Sequence, residues 1–273
     1  MHYLVHPFFA DFSHKGNQKS EHRLCAEEGL IMREKSDKNK TKEGRGRITE
    51  AQYSAWRQAR EAKSIGTASM IYDPIVGRTV HTLSENETKI FWVLRYKPQV
   101  IEIFEQFPLD KDEVTAICRS LGVPAYNHVL STDFVVQMDG DRFVAISVKE
   151  NRSEFDPGNP EYAKLVRRQA VEKIYWGKNY NIPFRILFGD DVSNVYANNI
   201  ENTMKFWDPR FVTNTTSKFK HLIAHGVIDI PLDDDYLRFG DLLRQYDVEE
   251  LYEAYRKENE GNTHCQRKRL IVH

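Results

Sequence analysis

No run of eighteen apolar residues occurs in this 273-residue chain, so a membrane-spanning helix is not expected. Cysteine is scarce: Cys25, Cys118 and Cys265 stand alone and odd in number. They form neither a disulfide framework nor a zinc spacing, which points to a reducing compartment. Residues 1–12 lack the charged head and apolar centre of a secretory signal. The expectation is a soluble, cytoplasmic protein. Charge of one sign is also missing, since the net charge is −1 and gives no global pull towards a polyanion. No internal repeat is present.

What the chain has is 40% apolar residues, enough for a substantial core, and charge that is unevenly placed. Residues 33–63 carry ten Lys/Arg against five acids, and residues 233–260 carry ten acids against four bases. A basic front suits a phosphate backbone and an acidic rear suits a protein partner, while two solvated helical faces would explain both equally.

The organisation reads in three parts. Residues 1–32 are His- and Phe-rich without period, a non-native or disordered extension. Glu27-Glu28-Gly29 requires purine-rich codons just upstream of Met32, which makes Met32 the expected native start. Residues 33–190 form the main domain, opening on a polar, basic segment (33–47) expected to be mobile until it meets a ligand. Residues 48–62 have helical character around Tyr53 and Trp56. Residues 68–80 predict a hairpin turning through Asp73-Pro74-Ile75-Val76-Gly77. Ser84 caps a helix, with Ile90, Phe91, Val93 and Leu94 facing a core. A strand (100–107), a helix (111–121) and two strands (133–138 and 143–148) follow. A long helix then begins at Pro160, its first position, and a buried strand covers 184–188. Residues 191–273 are mainly helical, with a possible strand at 268–272. A meander followed by a crossover helix predicts an α/β sandwich on a mixed sheet.

The chemistry lies in three residues. Glu87 opens a helix, Asp133 heads a strand, and Lys149 ends the next strand after a turn at Asp139-Gly140-Asp141. Acids on a helix and a strand can hold a magnesium ion, and a lysine beside them can act on an attacking water or a scissile phosphate. The expected metal ligands are Glu87, Asp133 and the backbone carbonyl of Val148. Ser147 and Glu150 are possible accessories, although a serine hydroxyl is a poor ligand and Glu150 points to the opposite strand face. Each residue also has a plain structural role. Ser84-x-x-Glu87 is a capping box, and strand-end lysines usually snorkel. Lys42, Arg45, Arg47 and Arg78 are candidate phosphate contacts. Glu105-Gln106-Phe107-Pro108 reads as structural, with Phe107 in the core.

Several segments together resemble the TnsA endonuclease subunit of heteromeric transposases. They are Lys42-Glu43-Gly44-Arg45-Gly46, Gly77-Arg78-Thr79-Val80-His81, Leu83-Ser84-Glu85-Asn86-Glu87, Ile103-Phe104-Glu105-Gln106-Phe107-Pro108-Leu109, Ser131-Thr132-Asp133-Phe134, Val148-Lys149, and Tyr175-Trp176 with Ile182-Pro183-Phe184. They are collinear over about residues 42–190. The resemblance implies a restriction-endonuclease-like fold, an α/β mixed sheet flanked by helices, followed by a small winged-helix-like C-terminal domain. It assigns the catalytic roles to Glu87, Asp133 and Lys149, with Mg2+ as cofactor and Mn2+ as a substitute. It implies cleavage of the 5′ strands of double-stranded DNA at transposon ends, with an integrase-type transposase (TnsB-like) and an ATPase regulator (TnsC-like) as partners and a nucleoid location when active. Ser147 departs from the glutamine that the family often has two residues before the lysine. A stand-alone restriction or repair nuclease and a catalytically inactive adaptor are the alternatives.

Overall fold

The computed structural model describes residues 34–48, 53–62, 68–233 and 235–259. Its centre is a four-stranded mixed sheet in the order β3 (Val100–Pro108), β4 (Ser131–Met138), β5 (Arg142–Lys149) and β6 (Phe184–Phe188). The first three strands run antiparallel and β6 pairs with β5 in parallel. The β4–β5 turn is tight because Gly140 (φ 66°) and Asp141 (φ 54°) both take left-handed conformations there. Alternation along β4 sends Phe134 and Val136 into one apolar cluster and Val135 into the other. Both faces of β4 are therefore covered, as its continuous burial requires.

One face carries α2 (Glu85–Tyr96) together with α5 (Asn194–Met204), α6 (Thr215–Ala224) and α8 (Val248–Asn259). A four-residue turn of helix, α7 (Phe239–Leu242), links the last two. The other face carries α3 (Lys111–Ser120) and α4 (Tyr162–Ile174) with Tyr53, Tyr175 and Trp176. The two-stranded hairpin of β1 (Ser69–Asp73) and β2 (Arg78–Thr82) lies beside α2 and turns at Gly77. The α/β mixed-sheet architecture expected from the sequence is the one observed.

Several local expectations need correction. The basic segment is ordered: α1 (Asp37–Lys42) docks through Asp37, whose carboxylate accepts from the Val129 amide at 2.8 Å. Gly46 takes φ +73°, and a Cβ there would lie 2.1 Å from Pro108 Cγ, so only glycine fits against β3. The described part of 48–62 is not a helix beyond one turn at Ala59–Glu61; Ile48 bridges to Tyr53 instead. The Tyr53 hydroxyl donates to the Glu105 carbonyl at 2.8 Å, so tertiary contacts override the local pattern. Pro160 lies two residues before α4, whose end widens into a π-helical turn at Tyr175–Asn179. The strand β6 is a half-exposed sheet edge.

The helices after residue 191 share an apolar core with α2: Ile200, Met204, Phe219 and Leu222 pack in one cluster with Ile90, Phe91 and Trp92. No strand follows β6 among the described residues, and the possible strand at 268–272, the extension at 1–32 and the start at Met32 lie outside them.

Candidate active site

The site forms where the N-terminus of α2 meets the ends of β3, β4 and β5. Ser84 caps α2 as expected, accepting from the Glu87 amide at 3.1 Å. The Glu87 carboxylate returns the bond one residue earlier than a standard box, taking the Leu83 amide at 2.8 Å and lying 3.4 Å from the Ser84 hydroxyl. Capping and chemistry are therefore not alternatives. The backbone bond fixes a carboxylate that still has lone pairs facing the sheet.

Asp133 is held from the next strand. Its Oδ2 accepts from the Val148 amide at 2.7 Å and the Ser147 hydroxyl at 3.2 Å. Ser147 in turn accepts from Gln169 of α4 at 3.2 Å, while the Gln169 Oε1 has no partner. The hydroxyl thus works as an orienter of Asp133, which explains how a serine can occupy this position. Oδ1 is left to face Glu87. The Gln106 amide lies between the two acids, with Nε2 3.2 Å from Glu87 Oε2 and 3.5 Å from Asp133 Oδ1. Lys149, two residues past Ser147 and hence on the same strand face, donates through Nζ to the Val148 carbonyl at 2.7 Å. Contacts therefore bring Glu87, Asp133, Ser147 and the Val148 amide together, and Lys149 lies on the Ser147 face of β5. Glu150 is not among them: its side chain is exposed and its amide donates to Glu154.

Burial, followed by repulsion from Asp133, raises the Glu87 pKa from 4.5 to about 8. At neutral pH the cation-free site retains a proton that a bound divalent ion would displace. The donor set suits a hard cation: two carboxylates meet at one amide, and a backbone carbonyl lies alongside. No cluster of three or more His, Cys, Asp or Glu exists among the described residues.

The candidate phosphate contacts divide. Lys42 and Arg47 are exposed. Arg45 and Arg78 are not, which corrects their reading as DNA contacts. Arg45 is 3% exposed and makes a bidentate pair with Glu61 at 2.7 and 2.8 Å. Arg78 is buried against Glu105 at 2.8 Å, Glu102 at 3.2 Å and the Ile103 carbonyl. Both guanidiniums fasten the framework under the site. Burial pushes Glu105 up to about 7 even with Arg78 beside it. Burial, reinforced by Arg45 and Arg78, holds His81 down near 4.

Sequence reasoning missed three residues. Gln106 was legible only as part of a motif, because its role depends on a left-handed backbone (φ 47°) inside a strand. Gln169 and Glu172 sit on one turn of α4. Glu172 is fully buried, pairs with Arg168 at 2.8 Å and accepts from Thr132 at 3.0 Å, next to Asp133 in the chain. The spacing of Gln169 from Glu172 on a helix was the available signal.

Residues 97–188 match the model of the TnsA-like endonuclease N-terminal domain, the stretch that contains Asp133 and Lys149. The chain is 32% identical over 167 residues to the transposon Tn7 transposition protein TnsA of Escherichia coli. The similarity covers 59% of this chain and 59% of that protein.

Proposed function

From its similarity to a TnsA-type endonuclease, we propose that this chain is the metal-dependent subunit that cuts the 5′ strands at transposon ends, within a heteromeric cut-and-paste transposase. The observation that carries this reading is the pair of buried carboxylates, Glu87 and Asp133, meeting at one amide beside Lys149. Glu87, Asp133 and the Val148 carbonyl would hold Mg2+ or Mn2+. The ion would supply Lewis-acid polarisation of the phosphate and a more acidic water.

The protein's own groups do the rest. Glu87, whose pKa is raised by burial and then by Asp133, would release its proton to water on taking up the ion. Ser147 and the Val148 amide hold Asp133 Oδ2, so the carboxylate cannot turn away from the site. Lys149 exchanges its carbonyl partner for the scissile phosphate and stabilises the charge that grows there. Lys42 and Arg47 contribute sequence-independent phosphate contacts from the surface. A net charge of −1 makes targeting depend on an integrase-type transposase that cuts the 3′ strands, and on an ATPase regulator.

The test combines the chain, the transposase subunit, end-bearing DNA and magnesium, and maps 5′-strand breaks. Breaks at the transposon end that disappear with Asp133→Ala support the reading. Cutting of plain DNA by the chain alone would favour a stand-alone restriction or repair nuclease. A stable complex without breaks would favour a catalytically inactive adaptor.

A further inference from the structure

Gln106 is 1% exposed and takes φ 47° in the middle of β3, a conformation that costs a non-glycine residue and persists only where its surroundings enforce it. The enforcement is visible. Its carbonyl accepts from the Trp56 amide at 3.2 Å, and its flanking residues pair with β4 at Glu105↔Phe134 and Phe107↔Thr132. The twist at Gln106 breaks the strand's alternation and turns its side chain to the acids. There both ends of the amide are engaged. The Ser131 hydroxyl donates to Oε1 at 3.0 Å, and Nε2 faces Glu87 Oε2 at 3.2 Å and Asp133 Oδ1 at 3.5 Å. The Ser131 hydroxyl occupies Oε1 and the carboxyl oxygens facing Nε2 accept, so the amide orientation is fixed by its neighbours.

We propose that Gln106 is the positioning residue of the cation site: its amide links the helix carboxylate to the strand carboxylate and sets their separation before a divalent ion arrives. This rests on the reading that Glu87 and Asp133 hold the ion. Gln106 itself supplies no ligand and takes no part in bond breaking. It lowers the cost of holding two buried carboxyl groups close together, because an N–H dipole lies between them. It also keeps α2 and β4 in the spacing that the ion needs.

The test titrates Mn2+ into the DNA-free full chain by calorimetry, for wild type, Asp133→Ala, Gln106→Met and Gln106→Glu. Thermal melts confirm folding. Asp133→Ala should abolish binding at this site. Gln106→Met keeps length and volume but has no donor, and should weaken Mn2+ by about tenfold, the scale of one lost charge-assisted contact. Gln106→Glu adds an oxygen ligand in the same place and should bind Mn2+ more tightly than wild type. A purely structural glutamine would lower the melting temperature in both variants and leave Mn2+ affinity alone.

Unchanged or tighter binding by Gln106→Met, with Asp133→Ala still abolishing it, overturns the inference and leaves the proposed site intact. Equal binding by wild type and Asp133→Ala overturns the site reading instead. In the wild-type chain, which needs no variant to fold, the assigned Gln106 side-chain NH2 resonances should shift with Mg2+ at the midpoint of binding. Resonances that stay fixed through saturation would also overturn the inference.

Discussion

Glu87→Gln should make the cation-free protein more stable in alkali while abolishing cleavage. The amide keeps the cap: its oxygen can accept from the Leu83 amide and Gln106, as Glu87 Oε2 does, and glutamine serves in a capping box as glutamate does. What changes is charge. Burial and Asp133 raise the folded-state pKa of Glu87 from 4.5 to about 8. A raised pKa contributes stability that is fully present below the unfolded value and is lost as pH rises through the folded value. At about 1.4 kcal/mol per pH unit, the folded wild type loses up to roughly 5 kcal/mol between pH 4.5 and about 8. The glutamine variant does not. Urea denaturation in EDTA should therefore give similar stabilities near pH 4 and a growing advantage for the variant up to a plateau above pH 8. Mg2+ at a hundredfold excess over Kd should narrow the gap by about half, stabilising only the wild type by about 2.7 kcal/mol. Equal stabilities of wild type and variant near pH 9 would refute the claim that Glu87 is strained by burial and by its neighbour.

Three further outcomes are expected. Lys149→Ala should keep Mn2+ affinity in calorimetry and lose about 10²–10³-fold in single-turnover cleavage, the scale for one donor aimed at transition-state charge. Arg78→Ala leaves Glu105 buried without its partner, which should cost about 3–5 kcal/mol in urea unfolding; near-wild-type stability would count against the framework role. Lys42→Ala combined with Arg47→Ala should reduce the slope of log affinity against log salt in DNA binding by about 2, and an unchanged slope would remove these residues from the interface.

The sheet, α2 and the three catalytic candidates could be read in the sequence because their signals are local. Period-two alternation and a turn at Asp139-Gly140-Asp141 set the β4–β5 register, and a serine cap placed Glu87. Arg45 and Arg78 misled because charge in a sequence does not say whether a carboxylate waits for it. Their partners, Glu61 and Glu105, lie 16 and 27 residues away. The segment around Tyr53 and Trp56 was misread as helix for the same reason, since Tyr53 answers to a carbonyl on β3. Gln106 was out of reach because a single left-handed residue inside a strand leaves no mark in the pattern. Ser147 looked like a defect at the metal until the Gln169 and Asp133 contacts showed which atom it serves.

The helices beyond residue 191 pack into the same apolar cluster as α2, the helix that carries Glu87 in its first turn. Such a layout resists modular exchange. Grafting a different C-terminal segment onto this chain, or evolving a new one by recombination near residue 191, would re-pack the helix that aims the Glu87 carboxylate. Whatever docks on those helices is thereby inherited together with the Glu87–Asp133 pair, and the two must change in step.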